Sequence, residues 1–183
     1  MQTLLIIDIQ NDYFPGGRAE LVGPEAALAN AECVLRRFRD KNWPIIHVQH
    51  INVREGATFF LPGTAGAEIH ERLTPRSGEQ LVVKNSPNAF YRTDLLDIIR
   101  RAPISELVVC GMMTHMCIDT TVRAAKDYEL PVTLVSDACA TKDLSFEGAA
   151  VPAAMVQTAY LAALSGTFAR TISAAEFAQQ TAG

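Results

Sequence analysis

Residues 107–125 read Leu107-Val108-Val109-Cys110-Gly111-Met112-Met113-Thr114-His115-Met116-Cys117-Ile118-Asp119-Thr120-Thr121-Val122-Arg123-Ala124-Ala125. The opening apolar run, 107–110, predicts a buried strand, and Gly111 punctuates it. Residues 117–128 predict a helix. The short turn between them therefore delivers Cys117 to the start of that helix. A strand that hands a thiol to a helix through a glycine turn is the unit from which the rest of the fold is read.

The same alternation extends both ways along the chain. Residues 4–8 predict a strand. Residues 24–41 predict a helix, with Pro24 in the first turn and Leu28, Ala31, Leu35 and Phe38 on one face. Strands are expected at 44–50, 80–84 and 131–136, a helix at 93–101, and an irregular segment punctuated by Gly and Pro at 53–66. Residues 145–164 read as mostly helix and 168–171 as a last strand. Ser173 and Glu176 then form a capping box for a terminal helix. This β-α-β-α rhythm predicts one domain over 1–183. Its class is α/β: a three-layer α-β-α sandwich around a Rossmann-like, mainly parallel sheet with helices on both faces.

Composition narrows the function classes. The chain has 183 residues, 49% hydrophobic and 20% charged, which suits a single domain with a full core. A net charge of -4 argues against a nucleic acid or an anionic membrane surface as the main ligand. The apolar run at 4–7 stops at Asp8 with no basic segment before it, unlike a signal peptide. The stretch 148–166 is broken by Pro152, Gln157 and Ser165, so no membrane span is expected. Cys33, Cys110, Cys117 and Cys139 lack metal-type pairing, and reduced thiols in a cytoplasmic protein are expected. Cys33, Cys110 and Cys139 read as packing residues.

Sheets of this kind hold their sites at the carboxyl ends of the strands. The first strand ends in Asp8, the third in Lys84, and the fourth leads through Gly111 to Cys117. If these strands are parallel, the three groups share one rim. A thiol at a helix N-terminus should have a lowered pKa, which matters because an ordinary thiol is only about 3% thiolate at pH 7. Lys84 would act in the same direction. Asp8 could accept the thiol proton and return it to a leaving amine. The N–H groups of Met113 and Cys117 could hold an oxyanion. Taken singly, each residue has a plainer reading: Cys117 as an inert buried thiol, Asp8 as a turn residue, Lys84 as a solvated strand end. Their joint placement favours chemistry.

Three segments resemble the isochorismatase-like hydrolase superfamily: Leu4-Leu5-Ile6-Ile7-Asp8-Ile9-Gln10-Asn11-Asp12-Tyr13-Phe14, Val83-Lys84-Asn85-Ser86-Pro87-Asn88-Ala89-Phe90, and the stretch from Val109 to Ala125. Val135-Ser136-Asp137-Ala138-Cys139-Ala140 also fits, so the likeness spans nearly the whole chain. The resemblance implies an Asp-Lys-Cys triad, mapped onto Asp8, Lys84 and Cys117, that hydrolyses a small amide or carbamoyl compound through a thioester. It further implies a cis peptide between Met112 and Met113, no cofactor, and self-association as a dimer or tetramer.

Metal-binding members of the superfamily carry an Asp-x-His motif after the second strand. Here His47-Val48-Gln49-His50 stands there, and His47 and His50 fall on opposite faces of a strand. No metal site is expected, nor the nicotinamidase activity that goes with it; His70 completes no ligand set. His50 is assigned either to the pocket or to the surface. His115 reads as structural or interfacial rather than as the base. Phe14, Phe59, Phe60, Phe90 and Tyr91 fall near the predicted rim and are expected to line a pocket for a small, flat or apolar substrate, with core packing as the other reading. Two further functions compete: a vinyl ether hydrolase of the isochorismatase type with Asp8 as acid, and a non-catalytic oligomeric scaffold.

Overall fold

A computed structural model describes residues 1–101 and 104–181. Six parallel strands form the central sheet in the order β3-β2-β1-β4-β5-β8. They are β1 (Gln2–Ile7), β2 (Ile45–His50), β3 (Gln80–Lys84), β4 (Glu106–Met112), β5 (Val132–Ala140) and β8 (Arg170–Ile172). Helices cover both faces: α1 (Pro24–Asp40) and α5 (Ala174–Gln180) with one apolar layer, and α2 (Leu95–Arg101), α3 (Asp119–Asp127) and α4 (Ala153–Leu164) with the other. The expected α/β sandwich is thus present. The inner strands carry continuous apolar runs because both their faces are buried; Leu4, Leu5, Ile6 and Ile7 alternate between the two layers.

Local chemistry explains the ends of the elements. Pro24 opens α1 at N1, and Leu28, Ala31, Leu35 and Phe38 are all buried, each large side chain worth about 1.5–3 kcal/mol. Ser173 accepts from the Glu176 N–H while the Glu176 carboxylate accepts from the Ser173 N–H, completing the predicted capping box.

Several expectations need correction. Residues 145–151 are not helical. They form a two-stranded hairpin, β6 (Leu144–Phe146) with β7 (Ala149–Val151), turned by Glu147 and Gly148 at φ 48° and 83°. Two consecutive positive-φ residues suit a tight hairpin turn, and Pro152 then caps α4. The last strand begins at Arg170, later than expected. Cys33 is exposed, because α1 turns Ala31, Val34 and Leu35 to the core and leaves position 33 facing out. Cys110 and Cys139 are buried as packing residues.

Candidate active site

The carboxyl ends of β1, β3 and β4 lie on one rim of the sheet, because these strands are parallel and β2 joins β3 to β1. Asp8 follows β1 directly, and its N–H donates to Val48 O at 3.0 Å. Its φ of 52° is left-handed, a region Asp tolerates better than most residues. Lys84 ends β3 in register with His50 of β2. Both Asp8 and Lys84 side chains are fully buried.

Gly111 carries the turn after β4. Its φ is 135°, and a Cβ there would lie 2.0 Å from Ile7 O. Only glycine allows β4 to approach β1 so closely just before the site. The Met112–Met113 peptide is cis. The chain then enters a π-helical turn, Thr114–Ile118, that runs into α3. Cys117 therefore sits inside the first helical turns rather than at their start. That turn is anchored to α4: the Thr114 hydroxyl lies 2.7 Å from Gln157 Oε1, and Gln157 Nε2 donates to Cys139 O at 3.2 Å.

The Lys84 ammonium is the hub of the site. Its Nζ stands 2.6 Å from Asp8 Oδ2, 2.9 Å from His50 Nδ1, 3.1 Å from Ser86 O and 3.3 Å from Cys117 Sγ. Asp8, His50 and Cys117 present ligand atoms within 4.8 Å of one another, the one metal-type cluster among the described residues. The ammonium contacts all three, so the lysine supplies the positive charge at their centre. His47, on the opposite face, bonds Glu79 Oε2 at 2.8 Å instead.

Burial dominates the electrostatics. It raises the Asp8 carboxyl, with Lys84 opposing. Lys84 loses hydration too, yet the Asp8 and Cys117 charges overcome that loss and raise it. Burial and then the Asp8 carboxylate push the Cys117 thiol up, against Lys84. The lowered thiol expected from a helix N-terminus is therefore wrong. The thiol is enclosed and lies beside an anion, and both outweigh the helix. His50 is pushed down to about 4 by burial and by Lys84, so its imidazole is neutral at pH 7 and accepts from the ammonium.

A further layer fixes these groups. Gln10 is wholly buried; its amide donates to His50 O at 2.9 Å and Ala67 O at 2.6 Å, and its Oε1 accepts from His50 N at 2.8 Å. Asp12 accepts from Phe60 N at 2.7 Å and Arg18 N at 3.2 Å, tying the loop after β2 to the end of β1.

A cavity of about 340 Å³ opens onto Cys117, a size suited to a small molecule. Of the aromatic residues expected there, only Phe59 lines it; His50 does too. Phe60 is buried beneath, with its ring 4.6 Å from Tyr13. Phe14 packs on His70 at 4.5 Å. Phe90 packs against Tyr128 in the core layer covered by α2 and α3, and Tyr91 is half exposed beside Arg92. Sequence reasoning missed Tyr13, Asn52, Arg54, Asn85 and Lys142 as lining residues, and Met116 and Leu144 as apolar wall. The Asp12-Tyr13 pair adjoining the Asp8 motif was the available signal for Tyr13. His115 also reaches the cavity, and its Nδ1 lies 2.6 Å from Thr141 Oγ1.

Comparison with known proteins places the fold and the sequence in one family. Residues 2–176 match the isochorismatase domain family. An uncharacterized isochorismatase family protein of Bacillus subtilis, YddQ, is 49% identical over 91% of this chain and 93% of its own length. The solved structure of an isochorismatase-family hydrolase from Oleispira antarctica superposes with a TM-score of 0.94, at 44% identity, over 100% of this chain and 96% of that one. A cysteine hydrolase from Pseudomonas syringae superposes at 0.91 with 25% identity, over 99% and 92% of the two chains. The chain belongs to the isochorismatase family of hydrolases.

Proposed function

We propose that the protein hydrolyses an amide or carbamoyl C–N bond of a small molecule through a thioester on Cys117. The observation that carries this reading is the single ammonium touching both a buried carboxylate and a buried thiol. Asp8 takes the Cys117 proton, and the thiolate attacks the carbonyl. The Met113 and Cys117 N–H groups receive the oxyanion. Protonated Asp8 then gives its proton to the nitrogen, and the C–N bond breaks to release ammonia or an amine. Asp8 next takes a proton from water, the hydroxide attacks the thioester, the C–S bond breaks to release the acid, and Asp8 returns its proton to the Cys117 thiolate. The first transfer exchanges one ion pair, Asp8 with Lys84, for another, Cys117 with Lys84. The enclosed set stays neutral throughout, so a thiol that resists ionisation alone can react here.

Ammonia release from a panel of primary amides and carbamoyl compounds, for the native protein and for Cys117→Ala, tests the reading. Turnover that needs the thiol supports it. Turnover of isochorismate that survives Cys117→Ala would replace it with ether hydrolysis by Asp8 as acid.

The reading includes self-association. Helix α4 bears no charged residue and leaves Met155 63% exposed. Such a surface is suited to cover by a second copy. Sedimentation velocity should show a species heavier than 19.9 kDa; Met155→Glu should shift it toward the monomer. Among the described residues no helix is long and apolar enough to cross a membrane.

A further inference from the structure

The cavity has a charge bias that the chemistry at Cys117 does not require. Arg54, from the loop after β2, and Lys142, between β5 and the hairpin, both line it, and both are exposed. Among the described residues no Asp or Glu lines it. Each cation has an acidic neighbour in sequence: Glu55, beside Arg54, is exposed and does not line the cavity, and Asp143, beside Lys142, accepts from Ala153 N at 2.7 Å. Asp8 lies deeper, where Lys84 compensates it. His50, held down to about 4, adds no charge at neutral pH. Burial and then the Lys142 charge disfavour protonation of His115, another lining residue, with Asp119 opposing. Among the described residues neither cation makes a salt bridge, so two cations face one small cavity in a chain whose net charge is -4. Their charge is local and does not reflect a generally basic surface.

The remaining walls are apolar or neutral. Phe59, Met116 and Leu144 offer apolar surface, and Asn52 and Asn85 offer amides. A substrate placing its carbonyl at Cys117 would extend an apolar spacer along these walls and reach the mouth with its far end. From this arrangement we infer that the substrates are anionic: small amide or carbamoyl compounds carrying a carboxylate at the end remote from the scissile bond, held by Arg54 and Lys142. The inference rests on the reading of Cys117 as the nucleophile only for which end points inward. The preference for an anion stands on the two cations.

Binding to Cys117→Ala separates the two ideas, since no covalent step is possible there. The probes are ω-carbamoyl carboxylates with two to five methylenes, each paired with its neutral diamide, titrated by calorimetry into Cys117→Ala and into Cys117→Ala carrying Arg54→Gln and Lys142→Gln. The carboxylates should bind more tightly than their diamides. The preference should fall about three- to fivefold per cation removed, and about tenfold for both. It should also shrink between low and 0.5 M salt. Equal binding of each pair, a preference that the two glutamines leave unchanged, or no binding of any carboxylate overturns the inference. Thermal midpoints matched to the parent show that the glutamine variants are folded. Loss of thioester formation with the anion preference intact would sink the nucleophile reading alone.

Discussion

Replacing Lys84 with methionine should cost far more stability than a lysine normally contributes. The ammonium lies 2.6 Å from Asp8 Oδ2, and neither side chain reaches water. At an effective dielectric of about 20, unit charges at that separation attract by about 6 kcal/mol. Desolvation of both ions offsets much of this, so the pair itself adds little net stability. Removing one partner is different, because it leaves the other charge buried alone, at about 3–5 kcal/mol. Lys84→Met and Asp8→Asn should each fall in that range in urea denaturation at pH 7. The double variant, with neither charge, should lose much less than the sum, giving a coupling of about 2 kcal/mol or more. Additivity within about 0.5 kcal/mol would refute the buried ion pair.

Four further outcomes follow from named contacts. Gly111→Ala should destabilise by upwards of about 3 kcal/mol or block folding, since its Cβ would meet Ile7 O at 2.0 Å with φ at 135°; a thermal midpoint within a degree or two of native would contradict this. Gln10→Leu strands the N–H and carbonyl of His50 and should cost about 2–4 kcal/mol, read in urea, with a fall in turnover because His50 supports Lys84. Asp8 must be ionised to accept the thiol proton and its carboxyl is raised, so kcat/KM should decline on acidification at a pH above the ordinary aspartate range; a profile flat to pH 4 would refute Asp8 as base. Glu79 is lowered to about 2: burial works to raise it, but Arg39, the Arg76 N–H and His47 overcome burial. Its contribution is complete above about pH 4.5 and lost as pH falls toward 2, so the urea midpoint should decline over that window, and Glu79→Gln should flatten the decline.

The parts of the site legible in sequence were those fixed by strand ends. Asp8 and Cys117 come after apolar runs that read as buried strands, Lys84 ends the half-exposed edge strand β3, and parallel pairing brings all three to one rim. The helix face of α1 and the capping box were equally plain, because each depends on spacing within one element. The cavity walls were not legible. Phe59 and Phe60 are adjacent, yet the left-handed backbone at Phe60 sends one ring into the cavity wall and the other beneath it. Phe90 sits three residues beyond Pro87, which lines the cavity, but turns inward against Tyr128. Arg54 and Lys142 stand on segments whose paths depend on the Asp12 clamp and on the hairpin, neither of which has a periodic signature. The thiol's acidity was misread for a related reason: proximity to a helix start is visible in sequence, whereas enclosure beside a carboxylate is a property of the folded chain.

The most direct test is to quench the reaction with acid during turnover of an ammonia-releasing substrate and weigh the intact protein. The account predicts a mass increase equal to the acyl fragment, mapped by digestion to the peptide bearing Cys117 and absent from Asp8→Asn. Steady hydrolysis with no such adduct, by a protein that works equally well as Cys117→Ala, would contradict it.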